Sequence, residues 1–243
     1  MIDIIPSGDS IIILKDLKYP QSSIISKEIE KLNLPEVEDV ITLKSSIGVI
    51  FNPFKIKSDR LIKKIQGIIK DHEIKQKHKF KTWKIPICYD EEFAIDIQEI
   101  SHYTKLDFEQ IKQKHLNKSY DVQIIGFLPG FLYLGDIDKS LNVPRKNTPR
   151  TSIPEGSVAI AGNQTGIYNI NSPGGWSIIG KTPLKLFDKS KIPPIDINQG
   201  DKIIFHEIKK EDLITALNMA VEVTDQIHDL QVKALTERFE VEQ

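Results

Sequence analysis

The chain has 243 residues, 40% of them hydrophobic and 28% charged, with a formal net charge of −1 at pH 7. That is apolar material for one large domain or two small ones, and it excludes a global field that would gather nucleic acid or an anionic membrane. A single cysteine, Cys88, excludes an internal disulfide and any zinc or iron–sulfur site built from thiolates, and so points to a reducing compartment.

The opening residues, MIDIIPSGDSIIILKDLKYP, lack a basic start and a long apolar run, so no signal peptide is expected. No run of about 18 apolar residues occurs, so no membrane span is expected either, and the expected address is the cytoplasm. Ser10 to Leu14 reads as a short strand. Ile24, Ile25, Ile29, Leu32 and Leu34 recur at near-helical spacing, with Ser22 or Ser23 as the N-cap. Val37 to Leu43 and Ile47 to Phe51 read as a strand pair joined by a short polar turn. Ser58 to His72 is the clearest helix, with Leu61, Ile62, Ile65, Ile68 and Ile69 on one face. Lys81 to Tyr89 is a further strand, with Cys88 as a buried, inert thiol. The resulting order, β-α-β-β-α-β, is that of a ferredoxin-like split βαβ unit over residues 1–89.

Glu91 to Tyr103 and Asp107 to Leu116 read as two helices, the second capped by Asp107 and carrying His115 near its end. Tyr120 to Phe127 is a strand. It leads into a turn-rich stretch, Gly126 to Pro183, that holds nine of the 13 glycines and six of the 13 prolines. Residues so dense in both demand tight turns between short strands. Pro183 to Phe187 and Lys202 to Ile208 add two more strands, and a closed or nearly closed β-barrel over residues 90–209 is expected. From Lys210 a helical pattern without glycine or proline runs over residues 210–243. It either docks on its own domain or pairs with a partner. The overall class is therefore α+β.

Glycine density invites a phosphate-loop reading, which fails. Gly180-Lys181-Thr182 matches the tail of that motif, but the upstream glycine is missing and Pro183 follows. Asn163 to Gly166 and Ser172 to Trp176 gather amide, hydroxyl and backbone N–H groups without an acidic neighbour. They either hold a carboxylate or oxyanion or simply satisfy turns. Arg145 and Arg150, in PRKNTPR, stand out in a lysine-rich chain, and arginine's planar fork suits a carboxylate. His115 and His206 are the histidines nearest the barrel segments and the candidates for proton transfer. No histidine pair has metal spacing, and no metal site is expected. Tyr168 and Trp176, with Phe127 and Phe131, either line a small-molecule pocket or fill the barrel core.

The blocks GFLPGFLYLG, PRKNTPRTSIPEGSVAIAGNQTGIY and SPGGWSIIGKTPLKLFD resemble the family of 5-oxoprolinase B subunits, also labelled allophanate hydrolase subunit 1. The resemblance covers about residues 84–208, with KHLNKSYDVQIIGF matching the helix-to-strand entry that includes His115. It implies an N-terminal α/β domain followed by a cyclophilin-like β-barrel. It further implies a role beside the A and C subunits of 5-oxoprolinase, together opening 5-oxo-L-proline to L-glutamate at the expense of ATP. With no ATP motif in the chain, ATP is expected at or with a partner subunit, and this chain is expected to be inactive alone. The implied site comprises His115, Arg145 and Arg150 as catalytic groups, with Gln164, Tyr168, Gly174, Gly175 and Trp176 binding the substrate. The family's KipI branch instead binds and inhibits a sensor histidine kinase, and a urea or allophanate role is a third implication.

Overall fold

Alternating isoleucines build the first sheet. The computed structural model describes residues 2–70, 80–222 and 240–241, and the chain divides into units of residues 1–80 and 81–243. In the first unit, strands β1 (Asp3–Ser7), β2 (Ile11–Lys15), β3 (Val37–Thr42) and β4 (Ile47–Phe51) pair antiparallel in the order β1-β2-β4-β3. Helices α1 (Gln21–Lys31) and α2 (Ser58–Lys70) accompany them. Ile12 and Leu14 of β2, with Ile47, Val49 and Phe51 of β4, point to one face and are buried with Ile25, Ile29, Leu61 and Ile65 of the helices. The β2-α1-β3 crossover is split, with β4 lying between its two strands.

Two local expectations are corrected here. Ser22 and Ser23 do not cap α1, which begins at Gln21 after Pro20. Both serines are buried, and Ser22 Oγ donates to the carbonyl of Lys44 at 3.0 Å. The strand at residues 82–87 does not join this sheet. The place beside β2 belongs to β1, a strand disguised in the sequence by Pro6, which an edge strand tolerates.

The second unit contains β5 (Thr82–Ile87), α3 (Ile97–Thr104), α4 (Phe108–Leu116), β6 (Ser119–Ile125) and β7 (Leu132–Gly135). It continues with β8 (Arg150–Ile153), β9 (Ser157–Ala161), β10 (Gln164–Ile167), β11 (Ser172–Gly174), β12 (Ser177–Lys181), β13 (Lys202–Glu207), α5 (Lys210–Glu222) and β14 (Glu240–Val241). Eight of these strands form one sheet in the order β12-β9-β10-β7-β6-β13-β5-β14, while β8 and β11 pair as a separate ribbon. Among the described strands of the large sheet, only β13 and β5 run parallel. The sheet curls into a half-barrel and is stitched across its ends. Cys88, just past β5, and Lys181 of β12 exchange backbone hydrogen bonds of 2.8 and 2.9 Å. Gly180 permits that seam, because a Cβ there would lie 2.6 Å from the Cys88 carbonyl oxygen. The enclosed core includes Ile85, Ile87, Tyr120, Val122, Leu134, Ile160, Ile179 and Phe205, with Ile97, Ile100 and Ile111 of α3 and α4.

Asp107 caps α4 as expected. Its carboxylate accepts from the Gln110 N–H at 2.8 Å, and the Gln110 side chain accepts from the Asp107 N–H at 3.0 Å. Helix α3 starts only at Ile97, later than the expected Glu91, because residues before it turn and Asp96 spends its carboxylate elsewhere. Pro183 to Phe187 is irregular, not a strand. The expected C-terminal helix is present as α5. Residues 223–239 of that expectation lie outside the described residues, and Glu240–Val241 pairs as a strand with Thr82 and Trp83. Among the described residues no helix is long and apolar enough to cross a membrane.

Candidate functional site

The alternation of β10 sorts the candidate residues onto two faces of one sheet. Thr165 points into the enclosed core, while Gln164 and Gly166 point out of the other face.

On the core side stands His115, fully buried at the end of α4. Thr165 Oγ1 gives its only proton to the Ala159 carbonyl at 3.1 Å, so it accepts from His115 Nε2–H at 2.9 Å. His115 Nδ1 then accepts from the Tyr89 hydroxyl at 2.6 Å, and the hydrogen-bond network assigns the Nε2–H tautomer. The imidazole packs against Phe205 and Tyr120 at centroid distances of 4.7 and 5.2 Å. Burial pushes its pKa down from 6.5 to about 3. Both ring nitrogens are occupied, the ring is neutral and it meets no solvent. His206, on β13, is also pushed down by burial, with Lys84 adding to the effect.

On the opposite face lies an aromatic layer of Phe131, Tyr133, Tyr168 and Trp176, bedded on Ala159, Ala161 and Ile178. Trp176 meets Phe131 and Tyr133 edge to face at 5.6 and 5.7 Å, and Phe131 meets Tyr168 at 4.9 Å. Gly166 makes the layer possible, since a Cβ there would fall 2.9 Å from the Phe131 ring and 3.0 Å from that of Trp176. Gly174 sits equally close, with its would-be Cβ 2.4 Å from the Tyr168 hydroxyl. The Gly175 carbonyl accepts from the Lys146 N–H at 2.7 Å. Burial pushes the Tyr168 hydroxyl up, against the pull of the Trp176 backbone N–H beside it. Further along the same face, the Gln164 amide donates to Gln123 Oε1 at 3.2 Å, and Gln123 is buried.

The two arginines have different fates. Arg150 grips Asp96 through two bonds of 2.8 and 2.6 Å, so its fork is filled from within the chain. Asp96 also accepts from Lys146 Nζ at 2.9 Å and from the Ile178 N–H at 2.7 Å. Burial alone would raise this carboxyl. The Arg150 fork, the Ile178 N–H and Lys146 outweigh it and hold the pKa below the usual carboxylate range. Arg145 is exposed, with its guanidinium 5.8 Å from the centroid of the Trp176 ring. Among the described residues no carboxylate pairs with it.

Arg145 borders a cleft of about 130 Å³, lined also by Glu99, Ile100 and Tyr103 of α3, by Val143, Pro144, Lys146 and Asn147, and by Ser177. A larger hollow of about 540 Å³ is lined by Tyr89, Asp90, Phe108, Glu207, Ile208, Lys209, Lys210 and Glu211. None of the sequence-derived candidates lines that hollow, and its three carboxylates outnumber its two lysines. The small cleft has the free cation and is the better candidate. The structure thus brings Arg145, Tyr168, Gly174, Gly175, Trp176 and Gln164 to one side of the sheet and separates His115 from them. Three contributors escaped the sequence reading. Tyr133 and Gln123 alternate outward on strands whose inner faces drew attention. Asp96 resembles a helix cap, and its arginine partner is 54 positions away.

Comparison with known proteins identifies the family of the chain. The family described as carboxyltransferase domain, subdomain C and D, matches residues 11–196. The 5-oxoprolinase B subunit of Bacillus subtilis (strain 168) is 40% identical over 163 residues, 67% of this chain and 66% of that protein, so the chain matches just under two thirds of its length. The protein of the same name from Escherichia coli is 33% identical over 204 residues, 82% of this chain and 92% of that one. The crystal structure of TTHA0988 superposes with a TM-score of 0.71 at 25% identity, covering 86% of this chain and 40% of the other.

Proposed function

The chain belongs to the carboxyltransferase domain C and D family, in the group of 5-oxoprolinase B subunits, and on that premise we propose that it serves as the B subunit of an ATP-dependent 5-oxoprolinase. The A and C subunits complete the complex, in the cytoplasm, and 5-oxo-L-proline is opened to L-glutamate. In this reading the first unit is a variant of the ferredoxin-like fold and the second a cyclophilin-like barrel.

The observation that carries the reading is Arg145. It is a guanidinium with no carboxylate partner among the described residues, held above Trp176 at the rim of a small cleft. A substrate with one carboxylate and one planar lactam matches a cation beside aromatic edges. The cleft, at about 130 Å³, lies well below the roughly 300–1,000 Å³ of pockets for larger ligands, which suits a small acid and leaves no room for a nucleotide. The chain carries no recognisable ATP motif, and in this reading ATP binds at or with a partner subunit. Phosphorylating the lactam oxygen there would turn an unstrained amide into an ester-like centre that water can open. Asn147 is the amide in the cleft lining that would meet the lactam edge, while Gln164, outside that lining, bonds Gln123. His115 acts from behind the sheet by fixing Thr165 and hence the strand that carries Gln164.

The test is reconstitution. The chain with the A and C subunits should hydrolyse ATP only when 5-oxo-L-proline is added, and omission of the chain should abolish that dependence. ATP hydrolysis that ignores 5-oxo-L-proline in the full mixture would overturn the reading. One observation favours the kinase-inhibitor alternative. Phe127, at φ 70°, is held 72% exposed beside Phe131, as an anchor for a protein partner would be. Capture of a histidine kinase that is lost on Phe127→Ser, with no oxoproline-dependent hydrolysis, is the result that selects it.

A further inference from the structure

Every wall of the small cleft is fastened to one carboxylate. Asp96 directly precedes α3, whose Glu99, Ile100 and Tyr103 form one side. Its oxygens accept from Lys146, which lies in the loop of residues 143–147 that forms the other side, and from Arg150, just beyond that loop. They also accept from the Ile178 N–H on β12, next to Ser177 of the cleft lining. Asp96 is 3% exposed, so these three groups, through four bonds, take the place of water around it.

The charges balance in a way that singles out Arg145. Lys146 and Arg150 face Asp96 and Glu99, two cations against two anions, and Lys146 bonds both carboxylates. Arg145 is left as the unneutralised cation of the cleft lining. It is also the residue immediately before Lys146, so the Lys146 anchor sets where its backbone starts. The Gly175 carbonyl, accepting from the Lys146 N–H, fixes the same point from the Trp176 side.

We propose that Asp96 is the positioning residue of this site, a buried carboxylate that aims Arg145 over Trp176 and holds the cleft open for a small carboxylate ligand. The ligand class rests on the proposed function. The aiming of Arg145 does not. Asp96 touches no ligand and acts only through Lys146, Arg150 and the Ile178 N–H.

The experiment uses the full chain carrying Trp83→Phe, so that Trp176 is the sole indole, and compares Asp96→Asn, Asp96→Glu and Arg150→Lys. Asn keeps an acceptor for the Ile178 N–H, and Arg150→Lys keeps every charge, so a folded variant is available if one of the others fails. Trp176 emission and its quenching by iodide are read first, without ligand. All three variants should shift the emission and raise the quenching, with Arg150→Lys the mildest. Unchanged Trp176 signals in folded Asp96→Asn overturn the proposal. Binding of 5-oxo-L-proline in the reconstituted complex is read second. Positioning predicts at least about tenfold weaker binding for both Asp96→Asn and Asp96→Glu, because small displacements of an aligned group are costly. A purely electrostatic role predicts tighter binding for Asp96→Asn, since an anion has been removed, and that outcome also overturns the proposal. If the Trp176 signals move as stated while the unsubstituted complex binds no 5-oxo-L-proline, positioning stands and the substrate assignment fails.

Discussion

The two faces of the sheet that carries β10 use similar side chains to opposite ends. On the core face a histidine, two tyrosines and a threonine join in a buried chain of hydrogen bonds that ends on the Ala159 carbonyl, with His115 0% exposed. On the other face a tryptophan, two tyrosines and an arginine leave the charged member unpaired at a cleft. Residue type alone therefore does not mark a site. The histidine that looks reactive in the sequence has both ring nitrogens engaged inside the core. The arginine that looks like a loop charge keeps its chemistry available.

Substitutions that break this contrast should rank by what each face does. Trp176→Ala removes the indole that fills the outer layer and seats Arg145. It should cost about 3–5 kcal/mol in denaturant unfolding, as large aromatic truncations do. His115→Ala should cost roughly 2–4 kcal/mol, combining a cavity with a Tyr89 hydroxyl and a Thr165 oxygen that lose their partner. A cost below about 1 kcal/mol for either would mean that the layer it supports is not packed as described.

A pH-dependent effect follows from the pKa of His115. Its folded-state value, about 3, lies below the ordinary 6.5, so the unfolded chain takes up a proton that the folded chain refuses. Stability from this group is complete above pH 6.5 and is lost as pH falls toward 3. The slope approaches about 1.4 kcal/mol per pH unit. His115→Gln should flatten the stability curve between those limits. A histidine ¹⁵N shift from His115 that titrates near its ordinary pKa of 6.5 in the folded protein would contradict the buried, neutral assignment.

Much of the fold was legible because its signals are local. Alternation in Ile12 to Leu14 and Ile47 to Phe51, helical spacing in Leu61 to Ile65, and the Asp107 cap each act within a few residues. What stayed hidden is non-local. The strand at Thr82–Ile87 is defined by its pairing with Lys202–Glu207, far along the chain, and no local pattern says which sheet it joins. The site divides in the same way. Arg145, Trp176 and the glycines were visible as unusual residues in a turn-rich stretch. Their separation from His115 was not, because it depends on the facing of β10, where Thr165 and Gly166 are adjacent in sequence and opposite in space. Asp96 was invisible for the same reason, since its donors, Lys146, Arg150 and Ile178, all lie far from it in sequence.

The most direct test of the contrast sets the two faces side by side in the assembled complex of this chain with the A and C subunits. Oxoproline-dependent ATP hydrolysis is measured for Arg145→Ala and for His115→Gln, with folding verified by thermal melts. Arg145→Ala should lower kcat/KM by about a hundredfold or more with little change in melting. His115→Gln should lower the melting temperature but keep kcat/KM within about tenfold at a temperature where it is folded. The reverse pattern, a silent Arg145→Ala and a folded but inactive His115→Gln, would contradict the division of roles between the two faces.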